Sequence, residues 1–169
     1  AQAGLEPALV FGLIRQETRF MPQLRSAVGA SGLMQVMPAT AQWVARKIGL
    51  DWRDPSRISD PATNLMLGTQ YLKLMLDELD GSQAMATAAY NAGPGRPRRW
   101  RDGPVLETAI WAENIPFNET RDYVKKVLSN AAVYSALLDG SKPPLLRPRL
   151  GKGVGPRDPN GKPPNTELP

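Results

Sequence analysis

Apolar residues in this chain recur at every third and fourth position and nowhere alternate along a strand-length run, which points to packed helices and nothing else. Leu9/Val10 and Leu13/Ile14 set the pattern. Leu65, Leu67/Gly68, Tyr71/Leu72, Met75/Leu76 and Leu79 repeat it, and so do Tyr123/Val124, Val127/Leu128, Ala131 and Tyr134 to Leu138. Each run has helix-type punctuation. Pro7 sits in a first turn. Pro38 opens a run to Ile48 that has Arg46 and Lys47 in its last turn and Gly49 beyond it. Asp60-Pro61 opens the helix ended by Gly81. Ser82 caps a segment from Gln83 to Ala89. That segment is rich in alanine, so neighbours can approach closely and it belongs at the centre. Asn118 is placed to cap the last helix, which Gly140 stops. Residues 104–113 read as a short helix, and residues 22–35, 50–59 and 96–101 as loops. The expected fold class is all-α, with no internal repeat.

The first helix carries an anomaly. One turn beyond Leu13 and Ile14 its apolar stripe holds Glu17. A carboxylate facing inward is costly to ionise unless something pairs with it. The alternative is a surface acid paired with Arg15, Arg19 or Arg25. The chain then passes through Ser26, Gly29, Gly32 and Gln35, small and polar residues that let backbone approach a ligand.

Composition narrows the chemistry. The 169 residues contain no cysteine and no histidine. Thiolate nucleophiles, Ser-His-Asp and Cys-His arrangements and the commonest metal ligands are therefore excluded, and acid–base work falls to Asp, Glu, Tyr or Lys. No metal-ligand constellation is visible, and no cofactor is expected. The net charge of +5 is concentrated after Gly140, where six basic residues face two acidic ones. The preceding chain is nearly neutral, so a nucleic-acid-binding role for it or for Arg96 to Arg101 is disfavoured. The arginine run divides evenly between a solvated loop and an anion contact. The proline-rich, basic segment 141–169 is expected to be extended and weakly ordered unless it docks, with residues 1–140 forming the folded domain. No run is long and apolar enough to span a bilayer, and no signal peptide is visible ahead of a start at Ala1.

Four segments then coincide. They are Arg15-Gln16-Glu17-Thr18, Gly29 to Pro38 (GASGLMQVMP), Ala88 to Gly95 (AAYNAGPG) and Ile115 to Val124 (IPFNETRDYV). Each alone is weak. In this order and spacing they resemble the catalytic domain of the soluble lytic murein transglycosylases, over roughly residues 5–138. There are two departures. Thr18 stands where serine is usual, and Ala27 where many members have proline. The helical solenoid of the larger family members has no counterpart in this reading, and segment 141–169 has no match.

The resemblance implies a lysozyme-like fold and cleavage of the β-1,4 bond between N-acetylmuramic acid and N-acetylglucosamine, leaving 1,6-anhydromuramoyl ends. It implies Glu17 as the single catalytic acid and base. Ser26, Gln35, Met37, Tyr90, Asn91, Glu113 and Tyr123 would line the substrate groove, and Thr40 is a weaker candidate. Tyr90 would lie near Glu17, and Tyr123 would support the site from the last helix. The implied partner is the peptidoglycan glycan strand, and the implied compartment is the periplasm. The tail offers a further contact to wall material or protein. The alternatives are a goose-type lysozyme, which uses water in place of the sugar hydroxyl, and a non-catalytic peptidoglycan-binding module.

Overall fold

The computed structural model describes residues 4–140 and 146–169. Eight α-helices lie among them: α1 (Pro7–Thr18), α2 (Pro38–Lys47), α3 (Pro61–Glu78), α4 (Gln83–Ala92), α5 (Gly95–Trp100), α6 (Thr108–Glu113), α7 (Asn118–Asp139) and α8 (Leu146–Leu150). Among the described residues extended pairing is confined to isolated bridges, Arg25–Ser31, Ser31–Val36 and Leu106–Val154. The fold is all-α, as the apolar spacing requires. No described helix is long and apolar enough to cross a membrane.

The alanine-rich α4 is central. Ala84, Ala86, Ala88 and Ala89 are buried, and the helix packs between α3 and α7. Long α7 pairs most extensively with α1. A glycine makes that approach possible: a Cβ on Gly12 would lie 2.7 Å from the Val127 carbonyl oxygen and 2.9 Å from the Ala131 nitrogen. Any larger residue would push the helices apart. Leu13, Leu72, Met75, Val124 and Leu128 fill the core between them.

Several local expectations need correction. The 50–59 loop contains a 3₁₀ turn at Pro55–Ser59, capped when the Asp54 side chain accepts from the Ser56 N–H. The fourth helix runs three residues past Ala89 and carries Tyr90 and Asn91 within it, because Gly93 and not Tyr90 is the residue that leaves helical geometry. Residues 95–100 form α5 instead of a loop. Arg98 of α5 pairs with Glu78 at the end of α3 at 2.8 Å, and Arg101, just past α5, pairs with Asp80, just past α3, at 2.6 Å. Arg96 lies over the Phe117 ring. These three residues are therefore part of the framework and not a solvated surface. Asn118 is the first residue of α7, not its cap; Phe117 holds the cap position without a side-chain bond.

Of the basic tail, residues 141–145 lie outside the described residues. Residues 146–169 dock on the helices. Arg149 forms a forked pair with Glu6, at 2.6 and 2.7 Å. Leu106 and Val154 exchange backbone hydrogen bonds of 2.8 Å. The Thr108 hydroxyl donates to the Leu150 carbonyl.

Candidate active site

Glu17 lies in the last turn of α1, at the point where the helix ends. Arg19 and Phe20 follow with φ of 51° and 66° and turn the chain away. The reversal carries the chain into the 21–36 segment, which is fixed to the core by three devices. Thr18 is buried, and its hydroxyl donates to the Leu33 carbonyl at 3.0 Å. Ser31 and Val36 exchange backbone hydrogen bonds of 3.1 Å. Asn64 of α3, fully buried, accepts from the Met34 N–H at 2.9 Å and donates to the carbonyls of Ser31 and Ile58. Gly32 must lack a Cβ here, since one would sit 2.4 Å from the Asn64 amide, and its φ is +74°.

Across from this segment α7 presents Tyr123. Its hydroxyl donates to Glu17 Oε1 at 2.5 Å, spanning 106 residues of sequence. The Glu17 carboxyl is pushed from 4.5 to about 7. Burial is the main cause. The Tyr123 hydrogen bond opposes it, and the negative charge of Glu119 adds to it. Burial and the Glu17 charge in turn hold the hydroxyls of both Tyr90 and Tyr123 well above the ordinary tyrosine range. Glu17 is thus a carboxyl poised to carry or release a proton near neutral pH.

Two hollows meet at Asn91. One, of about 290 Å³, is lined by Glu17, Asn91, Glu119, Asp122, Tyr123 and Lys126, with Gln16 at its edge. The other, of about 220 Å³, is lined by Gln35, Met37, Thr40, Tyr71, Tyr90, Asn91 and Pro169, among others. Asn91 Oδ1 accepts from the Thr120 hydroxyl at 2.7 Å, and Asn91 lines both hollows.

The structure therefore brings together Glu17, Gln35, Met37, Tyr90, Asn91 and Tyr123 from four separate stretches of chain. Tyr90 does not bond to Glu17. Its hydroxyl donates to the Met34 carbonyl at 2.8 Å, and its ring packs on Tyr71. Gln35, at φ 47°, spends its amide on the Leu24 and Gly32 carbonyls and braces the segment while lining the groove. Met37 is 39% exposed, enough to meet a ligand. Ser26 accepts from the Ala30 N–H and closes the turn at 26–30. Glu113 ends α6, largely exposed, and pairs with Lys125 at 3.1 Å.

Comparison with known families decides what this arrangement is. A family model described as "Transglycosylase SLT domain" matches residues 1–105, well over half of the chain. This chain belongs to the transglycosylase SLT domain family. A second model, "Soluble lytic transglycosylase helical domain", matches residues 114–143, the stretch of α7. The soluble lytic murein transglycosylase of Escherichia coli K12 is 40% identical over 137 residues, 79% of this chain and 21% of that protein. Its Salmonella typhimurium counterpart is 39% identical over 145 residues, 84% of this chain and 22% of that protein. Among solved structures, an inactive mutant of the lytic transglycosylase Slt from Pseudomonas aeruginosa superposes with a TM-score of 0.84 at 39% identity, covering 91% of this chain and 25% of that one. The 70 kDa E. coli enzyme gives 0.79 at 36%, with 89% of this chain and 25% of that one covered. The SLT domain described here thus spans about a fifth to a quarter of these relatives.

Sequence reading missed Asn64, Thr120 and Glu119 in this SLT site. Asn64 had a signal: it falls on the α3 stripe with Leu67, Gly68 and Tyr71, a polar residue where an apolar one is expected. Thr120 and Glu119 fall within the IPFNETRDYV segment, but nothing local marks their roles, because their partners lie on other helices.

Proposed function

We propose that this domain cleaves the β-1,4 bond between N-acetylmuramic acid and N-acetylglucosamine in peptidoglycan without water, and that Glu17 alone supplies the acid and the base. The observation that carries the reading is the state of Glu17: a carboxyl raised to about 7 in a hollow open to a ligand, with Tyr123 fixing one oxygen. An ordinary glycosidase needs two carboxyl groups flanking the bond. Here the sugar's own groups replace one of them. The protonated Glu17 gives its proton to the glycosidic oxygen as the C1–O4 bond breaks and the N-acetylglucosamine hydroxyl departs. The N-acetyl carbonyl of the muramic residue stabilises the electron-poor C1. The carboxylate left on Glu17 then removes the proton from the C6 hydroxyl, whose oxygen bonds to C1 and closes the 1,6-anhydro ring. Glu17 ends protonated, as it began.

The remaining groove residues support binding. With its oxygen held by Thr120, Asn91 has its N–H groups to offer an N-acetyl carbonyl, and Met37 offers an apolar face to a sugar ring. Tyr123 acts through Glu17 as a positioning residue. The substrate locates the domain at the cell wall, in the periplasm.

The test is mass spectrometry of muropeptides released from purified sacculi by the wild-type chain and by Glu17→Gln. Anhydromuramoyl products that vanish in the variant support the reading. Reducing-end products would replace it with a hydrolytic muramidase, and release that survives in Glu17→Gln would remove Glu17 from the chemistry.

A further inference from the structure

Residues 157–169 do not trail from the domain; they are strapped across it. The anchor is Glu78 at the end of α3, only 6% exposed. It accepts from Arg157 at 2.9 Å and from the Asn165 N–H at 3.2 Å, in addition to Arg98 of the helical framework. Burial works against the Glu78 charge, but Arg157, the Asn165 N–H and Arg98 outweigh it and hold the carboxyl below its ordinary range. Arg98 also donates to the Asn165 carbonyl at 2.6 Å, and Arg157 braces the strap internally through the Lys162 carbonyl. A second tether follows, with Lys47 at the end of α2 meeting Glu167 at 2.5 Å. Leu168 then packs against the core, and Pro169 reaches the 220 Å³ hollow, where it shares the lining with Met37, Thr40, Tyr90 and Asn91.

This position has a consequence for substrate choice. The two hollows share Asn91, so a glycan bound over Glu17 and running past Asn91 would enter the hollow on the Tyr90 side. Among the described residues, the other lining residues come from the helices, the loop 26–37 and the Gly93 turn after α4; only Pro169 comes from the strap. The outer tether, Lys47–Glu167, is exposed and weak, so the last residues of the strap move more easily than the part held on buried Glu78. We propose that residues 157–169 are a specificity-determining wall that closes this side of the groove and limits the length of glycan accepted there. The proposal rests on the transglycosylase reading of the same groove.

The test uses the full chain and two peptide-free oligosaccharides of alternating N-acetylglucosamine and N-acetylmuramic acid, a tetrasaccharide and an octasaccharide. Arg157→Ala with Glu167→Lys releases the strap's two side-chain tethers and leaves it held at Glu78 and Arg98 by the Asn165 backbone alone, while Arg98 stays on Glu78, so the framework keeps its ion pair. Pro169→Gly removes only the ring from the hollow. Release is expected to raise kcat/KM on the octasaccharide about fivefold, through KM, with the tetrasaccharide changed less than about twofold. Pro169→Gly should move the same ratio in the same direction. Because the chain has no cysteine, Lys47→Cys with Glu167→Cys can be bridged by a short bis-maleimide, and bridging should return the ratio to the wild-type value. Equal changes on both substrates, or none, would overturn the wall. If the wild type turns over neither oligosaccharide, the transglycosylase reading falls instead. The wall is then decided by binding of the same two sugars in a Glu17→Gln background, where a ratio insensitive to release overturns it.

Discussion

Replacing Glu17 by Gln should stabilise the folded domain, and the gain should depend on pH. In the folded state the carboxyl is raised from 4.5 to about 7, chiefly by burial. The unfolded chain ionises it near the ordinary value. Folding therefore works against the charge at any pH above the unfolded value, and the penalty grows until the folded group has itself ionised. At about pH 4 both states are protonated and the penalty vanishes; by about pH 8 it is complete. A displacement of this size corresponds to about 3 kcal/mol, which partial solvent access trims to about 2–3 kcal/mol. The glutamine side chain keeps the shape and still accepts from the Tyr123 hydroxyl, so the substitution removes the charge and little else. For a domain of this size the gain corresponds to a rise in melting temperature of about 4–12 °C at pH 8. Calorimetric or denaturant unfolding of the two proteins, run in parallel from pH 4 to pH 8, measures it. Other titrating groups cancel in the difference. A stability difference that stays flat across this range, or that favours the wild type at pH 8, would refute the claim that burial raises Glu17.

The neighbours of Glu17 should tune its titration in opposite directions. Tyr123→Phe removes a donor that favours the charged form, so the alkaline limb of the pH–rate profile should move up while kcat falls on the order of tenfold through lost positioning. Glu119→Gln removes a like charge and should move the same limb down. Matching shifts in the two variants would dismiss both assignments. Asn64→Ala should destabilise the domain by about 2–4 kcal/mol, since it strands the Met34 N–H and the Ile58 carbonyl in the core and leaves the Ser31 carbonyl with the Val36 N–H alone. Thermal unfolding reads this, and a loss under about 1 kcal/mol would mean that the 31–36 segment is held by other contacts.

What the sequence could reveal here followed from how far apart the interacting residues lie along it. The helices were legible because their cause is local: apolar period, capping residue, proline at the start and glycine past the end all fall within one segment. Glu17 was legible for the same reason, as a charge on the stripe of Leu13 and Ile14. Its partner was legible only through a motif, since Tyr123 lies 106 residues away and reads locally as one more apolar position of α7. The arginines of α5 show the opposite failure. As a local pattern they suggested a solvated surface or an anion contact. Glu78 and Asp80, about twenty residues earlier, pair with Arg98 and Arg101, so part of the run of like charge is neutralised by acids at and just past the end of α3. The same acid explains the strap. Proline and glycine content predicts extended backbone between Pro156 and Pro169, which is a statement about conformation and not about attachment. Attachment is decided by one buried carboxylate, Glu78, able to accept from Arg98, Arg157 and the Asn165 N–H together. Burying a glutamate at the end of a helix is unfavourable until enough donors converge on it. Convergence of that kind is a property of the folded chain, which is why the segment with the least regular sequence ends as a wall of the groove.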